Sequence, residues 1–596
     1  MLHCVVARAA AVPLAFSRAA LPKKTVPMRG RCLDTVVWSR LRERAPMSDT
    51  RSDPAAAAMT VRDAVLDLLR QFGIDKVFGN PGSTELPMFR DFPADLDYVL
   101  GLQEAVVVGM ADGYAQASGR AALVNLHSAA GLGNAMGNLF TAFRNHTPLI
   151  VTAGQQARSL LPLDPYLGAQ RAAELPQPYV KWSVEPARAR DVPAAIARAW
   201  RIAMQEPRGP VFVSVPVDDW DQPAEPVAPR AVSQVQGPDP EALARLGAAL
   251  EASARPALVV GAALARGGAW DETVALAERH RARVFAAPVS GRCAFPEDHR
   301  LFAGFLPAMR ERIVERLAGH DLVVALGAPA FTYHVEGFGP HLPDGARLWQ
   351  LVDDPGVAAW TPVGDALVGN LRLALAGLLA RPVPAAVTAR AMPSAREAPA
   401  RVGPGGAGEG SGSDGSDGGG PMSVAFVMQT LAELREAADI VVEEAPSSRP
   451  AMQRHLPFTR PDSFYTMDSG GLGYAMPAAV GIALAEPGRR VIALLGDGSS
   501  LYAIQALWSA AQRRLPIAFL ILANGRYAAL QEFAPVFGFA AGETVQGTAL
   551  PGLDFVALAR GFGCEGRRVA DPGLLREALQ AALAGPGPSL LEIVVA

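Results

Sequence analysis

The sequence predicts an α/β protein of three doubly wound parallel-sheet domains. Three observations predict it: short apolar strands alternate with helical segments from Thr60 onward, two stretches of Pro- or Gly-rich composition break that alternation, and 596 residues exceed one core. Residues 1–58 stand outside the pattern. They are Arg- and Ala-rich, acid-poor up to Arg44, and without the periodicity of a packed element. They read as an N-terminal extension, either a transit peptide or, preferably, disordered chain ahead of a natural start at Met47 (MSDTRSDPAAAAM).

The first domain is expected over 59–225. VRDAVLDLLRQF has apolar residues at helical spacing, KVFG is a short strand, NPGS a turn, EAVVVGMADGYAQAS a helix, and AALVNL and PLIVTAG two further strands. The unit closes near VFVSVPVDDW, ahead of a Pro-rich stretch from Pro223 to Pro240. A central α/β domain follows over 239–380, with strands ALVVGA, RVFAAP, LVVALG and RLWQLVDD. Residues 381–421 collapse into Pro, Ala, Gly, Ser and Asp, a linker in which GPGGAGEGSGSDGSDGGGP is expected to be flexible and disordered. The third domain, 422–596, resumes with IVVEEA, RRVIALLG, PIAFLILA and SLLEIVV.

Composition narrows the function classes. A formal net charge of -3 supplies no basic field for nucleic acid and no attraction to a membrane surface. No apolar run reaches the ~20 residues that span a bilayer. Cys4, Cys32, Cys293 and Cys564 lie far apart with no zinc-type spacing, as expected of a cytoplasmic protein without structural disulfides.

The densest chemical signal is RRVIALLGDGSS followed by IAFLILANGRY. It puts Asp497 and Asn524 at the carboxyl ends of two successive strands, the edge where open α/β sheets bind ligands. A carboxylate and an amide oxygen suit magnesium, which takes few protein oxygens and completes its shell with phosphate and water. Gly498 allows close approach of a phosphate, and Ser499 opens a helix with free N–H groups. Alone, GDGS reads more readily as a tight turn with Ser499 as N-cap. With Asn-Gly at this distance after a second strand, it resembles the thiamin-diphosphate fingerprint. That resemblance implies Asp497, Asn524 and the main-chain carbonyl of Arg526 as Mg2+ ligands, although Ala523 stands where the fingerprint has a first asparagine.

Longer stretches extend the likeness. FGNPGSTELPMFRDFP, LQEAVVVGMADGYAQASGRAALVNLHSAAGLGNAMGN, TPLIVTAGQQAR, GRCAFPEDHRLFAGFLPA and GGLGYAMPAAVGIALAEP resemble the benzoylformate decarboxylase family of thiamin-diphosphate enzymes over nearly all of 60–596. The resemblance implies non-oxidative decarboxylation of an aromatic 2-keto acid, with thiamin diphosphate and Mg2+ as cofactors. It further implies a pyrimidine-binding first domain, a diphosphate-binding third domain, and a homodimer or homotetramer with active sites at the subunit interface. Glu104 becomes the carboxylate that activates the cofactor through its pyrimidine; otherwise it is a first-turn glutamate favoured by the helix dipole. Ser83 matches the serine that holds the substrate carboxylate, while His127 and His299 match two active-site histidines. Leu472 matches the residue that props the cofactor, Gly470 the carbonyl for its pyrimidine amine, and Ser447 and Tyr527 diphosphate contacts. Leu167, Leu530 and Phe533 match the wall that receives an aromatic ring.

Departures from the family pattern are Pro446 in place of a threonine, Thr466 and Asp468 in a stretch usually more aromatic, and a longer Gly-rich loop over 536–550. Thr466 and Asp468 are expected to make the site more polar. The alternatives are an acetolactate-synthase-like carboligase, a decarboxylase of another 2-keto acid, and an inactive thiamin-binding subunit. Glu104, Asp497 and Asn524 together speak against the last.

Overall fold

The computed structural model describes residues 59–405, 421–540 and 542–596. The N-terminal extension and most of the Gly/Ser stretch therefore lie outside the described residues.

Three six-stranded sheets, every pairing parallel, organise the chain. The first holds β1 (Lys76–Gly79), β2 (Asp97–Leu100), β3 (Ala122–Leu126), β4 (Leu149–Gln155), β5 (Ser183–Val184) and β6 (Val211–Pro216). The second holds β7 (Pro256–Val260), β8 (Arg283–Ala286), β9 (Phe302–Phe305), β10 (Leu322–Leu326), β11 (Arg347–Val352) and β12 (Asp365–Val368). The third holds β13 (Ile440–Glu444), β14 (Phe464–Tyr465), β15 (Val491–Gly496), β16 (Ile517–Ala523), β17 (Glu565–Val569) and β18 (Ser589–Val594). The central strands are buried along their length, as expected when helices cover both faces of a parallel sheet.

Strand order separates the sheets into two kinds. The first runs β2-β1-β3-β4-β6-β5 and the third β14-β13-β15-β16-β18-β17, the same order shifted by twelve strands. The second runs β12-β11-β10-β7-β8-β9. In the first and third sheets the winding direction reverses between the first and third strands in chain order, so a crevice opens at the carboxyl ends of β1 and β3 and of β13 and β15.

A shared core joins those two domains. Val106, Met110 and Tyr114 of the first domain belong to one apolar cluster with Tyr474, Ala478, Ile482 and Val491 of the third. The helix Glu104–Ser118 is buried on every side from Val106 to Ala115, because it packs against its own sheet and against the helix Ala475–Ala485. Glycines set the approach. A Cβ on Gly113 would fall 2.2 Å from the Ala478 carbonyl oxygen, and one on Gly481 would fall 1.9 Å from that of Met110. Neither neighbour can move aside, since both are helix backbone. Gly113→Val is thus expected to destabilise by at least ~1–3 kcal/mol, the usual cost of overpacking, and to lower Tm in calorimetry. Gly561→Ala, where nothing lies within 4 Å, should leave Tm near wild type.

The stretch 381–405, the start of the linker, is partly packed on the central domain. Val387 is fully buried, and the Arg390 guanidinium donates to the carbonyls of Leu250, Glu251 and His280. An arginine that satisfies three carbonyls acts as a clasp, which composition alone does not reveal. Among the described residues no helix is long and apolar enough to cross a membrane.

Candidate active site

The crevice of the first domain gathers residues from two loops. After β1 the chain turns through Asn80–Glu85, and after β3 it delivers His127 at the head of the helix Ser128–Arg144. The two loops touch: a Cβ on Gly82 would overlap the His127 ring at 2.2 Å, so only glycine lets the imidazole lie there. Ser83, next in the chain, is exposed. Ser128 holds φ +46°, a left-handed conformation that costs a non-glycine residue on the order of 1–3 kcal/mol and tends to cluster at functional sites.

Beneath His127 lies Glu85, which sequence reasoning missed. It is 2% exposed, and its carboxylate accepts from Gly82 N (2.8 Å), Gly154 N (2.9 Å) and the Thr84 hydroxyl (2.7 Å), with His127 Nδ1 at 2.9 Å. Glu104 is the first residue of its helix and half-buried; its carboxylate accepts from Asn134 Nδ2 at 3.2 Å. Gly131 sits between it and His127, since a Cβ there would lie 3.3 Å from Glu104 Oε1 and 3.6 Å from His127 Cβ. Ser83, Glu104 and His127 therefore line one end of the first sheet.

The crevice of the third domain carries the other set. Asp497 follows β15 and is 4% exposed. Its Oδ1 accepts from Gly498 N (2.7 Å), and its Oδ2 accepts from Asn524 N (3.0 Å) and Gly525 N (2.7 Å), drawing the loop after β16 against it. Asn524 Oδ1 accepts from Arg526 N at 3.1 Å. The Tyr527 ring covers Gly498, where a Cβ would meet it at 2.3 Å. Burial, together with Tyr502 and Asp497, pushes the Tyr527 phenol above its usual range. Ser499 is buried in the turn that begins at Asp497, and Ser447 is half-buried in the turn after β13 that Pro446 opens.

Glu444, the last residue of β13, is a second residue that the sequence reading passed over. Its carboxylate accepts from Gly473 N (2.6 Å), Tyr474 N (2.8 Å) and Ala475 N (2.6 Å), capping the helix Ala475–Ala485 and fixing the preceding turn. Burial pushes it up to about 7 against the pull of those donors. The turn presents Gly470, exposed at φ +74°, and Leu472, half-buried. Asn138 Nδ2 donates to both Ala105 O (2.6 Å) and Gly473 O (3.0 Å), so this turn adjoins the start of the Glu104 helix within one chain.

Other predicted residues sit apart. His299 stays in the central domain, with Nε2 3.2 Å from Glu278 Oε1 and Nδ1 accepting from Leu301 N at 3.2 Å. Leu167 is half-buried at φ +62°, and Leu530 is 56% exposed, so neither is core. Phe533 packs against His334 of the central domain at 4.5 Å between ring centroids. Thr466 and Asp468 do not supply the polar site wall that was expected. The Thr466 hydroxyl is buried and donates to Glu443 O, while Asp468 N donates to Asn145 Oδ1 and its carboxylate lies 3.8 Å from Arg266. Thr466 bonds within its own domain, whereas Asp468 ties the third domain to the first and central ones. The Gly-rich loop folds back on the segment after β16, where Thr548 O accepts from Tyr527 N and Gly525 O from Leu550 N.

These arrangements can be set beside known proteins. Residues 59–174, 243–378 and 447–593 match the N-terminal TPP binding domain, the central domain and the C-terminal TPP binding domain of thiamine pyrophosphate enzymes. The chain is 45% identical to benzoylformate decarboxylase of Pseudomonas aeruginosa, over 90% of this chain and 98% of that protein. Among solved structures, it resembles benzoylformate decarboxylase from Polynucleobacter necessarius with TM-score 0.81 and 40% identity, covering 90% of this chain and 98% of that one. It also resembles the thiamine diphosphate-dependent 4-hydroxybenzoylformate decarboxylase of Rhodococcus jostii RHA1, with TM-score 0.84, 40% identity, and 90% and 99% coverage.

Proposed function

The chain belongs to the thiamine pyrophosphate enzyme family, and from that premise we propose that it decarboxylates an aromatic 2-keto acid, with benzoylformate giving benzaldehyde and carbon dioxide. The observation that carries this reading is the meeting of Ser83's loop with His127 over Gly82, beside Glu104, in a chain so similar to benzoylformate decarboxylases. Such a site can hold a carboxylate and move a proton in one place.

The residues of the third domain fit the cofactor and a Mg2+ ion. Asp497 and Asn524, with the Arg526 carbonyl, form an all-oxygen set on one short loop pair, and no cluster of three or more His, Cys, Asp or Glu competes for a metal among the described residues. Gly498 and Ser499, joined by Ser447 and Tyr527, would receive the diphosphate, while Gly470 and Leu472 would hold the pyrimidine and bend the cofactor. When bound, the thiazolium supplies the electron sink for loss of carbon dioxide.

The remaining work falls to side chains. Ser83 would donate to the substrate carboxylate and orient it. Glu104 would share a proton with the pyrimidine, which makes its amine a base. His127 would pass a proton to and from the substrate, and Leu167, Leu530 and Phe533 would enclose its ring. His299, matched to a second active-site histidine, would reach a site completed by another subunit. Exposed Ser83, Tyr166, Leu530 and Phe537 support a homodimer or homotetramer, because a single chain leaves these groups uncovered.

Purified protein with thiamine diphosphate, Mg2+ and benzoylformate should release benzaldehyde and should prefer aromatic over aliphatic 2-keto acids. Cofactor retention without turnover of any aromatic acid would overturn the substrate assignment. Light scattering on the same sample should show at least two chains.

A further inference from the structure

We infer that Glu85 is a positioning residue for the reaction, holding the proton on one face of His127 so that the other face does the chemistry. The inference rests on the reading above that His127 handles protons. It begins with how the buried carboxylate is satisfied. Two backbone N–H groups, Gly82 N and Gly154 N, and the Thr84 hydroxyl donate to its two oxygens. Both oxygens already accept from donors, and the ring nitrogen at 2.9 Å completes the set as a fourth donor. That places the His127 proton on Nδ1, with Thr84 Oγ1 also close at 3.1 Å. Nε2 is left without a protein partner among the described residues. In the neutral ring it is a base, and after taking a proton it is an acid whose charge Glu85 stabilises.

The backbone is shaped around this pair. A Cβ on Gly82 would strike the imidazole at 2.2 Å, and one on Gly154 would strike Glu85 Oε1 at 2.1 Å. Two glycines, from the loop after β1 and the end of β4, therefore leave room for a carboxylate and the ring bonded to it. A turn-stabilising glutamate would need Gly82 N alone. It would not need a donor from β4 or a histidine from the loop after β3.

Other ionisable groups face the pair. Glu104 approaches across Gly131, and the Tyr98 phenol of β2, raised above its usual range by burial and then by Glu85, lies beside Gly79. Neither carries a positive charge. Among the described residues, Glu85 is thus the one carboxylate bonded directly to the His127 ring.

The proton balance is simple. His127 Nε2 takes one proton and later returns it, Nδ1–H stays in place, and Glu85 gains and loses nothing.

Glu85→Gln tests this, since the amide can still accept from Nδ1 but carries no charge. Two readouts are compared in the holoenzyme. The first is the pH dependence of kcat/KM with benzoylformate. The second is the pH dependence of diethyl pyrocarbonate modification at His127, followed by peptide mass spectrometry, which needs no turnover. Both midpoints should move about one pH unit or more to lower pH, the low end of the effect of an opposite charge within ~4–6 Å. Over the same range kcat should fall about 10²-fold with KM little changed. Midpoints that stay in place would reduce Glu85 to a turn cap. Glu85→Asp keeps the charge but withdraws it by one methylene; it should preserve the midpoints and lower kcat, and an unchanged kcat would overturn the positioning role even if the glutamine variant fails to fold. A modification midpoint that shifts in a protein without turnover of aromatic acids would support the pair and remove only the substrate assignment.

Discussion

Glu104→Gln is expected to lower kcat by about 10²–10⁴-fold, the range for losing a positioned acid–base group, while the protein still folds and retains its cofactor. The structure explains why the loss should be confined to chemistry. Glu104 occupies the first turn of a helix whose stability comes from the buried run Val106–Ala115, and among the described residues its side chain is bonded only by the Asn134 amide. Glutamine can still accept from that amide. The stability lost is the helix-dipole contribution of a first-turn charge, about 0.3–1 kcal/mol. Single-turnover kinetics beside calorimetry would separate the effects. A variant that turns over at the parental rate would remove Glu104 from the mechanism, and one that fails to bind cofactor would make it a structural residue.

Asp497→Ala is expected to abolish retention of both Mg2+ and thiamine diphosphate. Its carboxylate is the only charged oxygen donor in the proposed set and also gathers Gly498, Asn524 and Gly525 through three N–H bonds. Removing it orphans those donors at about 1–3 kcal/mol for each that stays buried, so the loop after β16 should loosen as the charge is lost. A ligand that binds only the folded state raises Tm by mass action, so the wild-type Tm should rise with added cofactor and Mg2+. The alanine variant should show no such rise, and a full rise would rule out Asp497 as a ligand.

Much of this was legible beforehand, for physical reasons. Buried parallel strands read as uninterrupted apolar runs, so ALVNL, LVVAL and IAFLILA announced their sheets without any partner in view. Asp497 and Asn524 were legible because their positions follow directly from the strands they end. Glu85 and Glu444 were not. A glutamate three residues after Gly82 looks like a turn cap, and only the folded sheet brings Gly154 N and His127 to it across 69 and 42 positions. Two glutamates closing IVVEE were a usable signal, since a charge inside an apolar strand must find donors. Thr466 and Asp468 misled because their partners, Glu443, Asn145 and Arg266, come from three different stretches of chain. The clasp by Arg390 hid within a composition that otherwise describes loose chain.

The glycine-mediated crossing of the Glu104–Ser118 and Ala475–Ala485 helices has a consequence for the ribosome. Gly113 and Gly481 are separated by 368 residues, and at ~5–20 residues per second the first helix waits roughly 20–75 s for the surface that covers it. During that interval a stripe of valine, methionine and tyrosine, already folded on its own sheet, faces water. Chaperone demand during synthesis should therefore concentrate on nascent chains that end between the first and third domains. Slow codons placed just before Ala475 should cost soluble yield more than the same codons placed after Ala485.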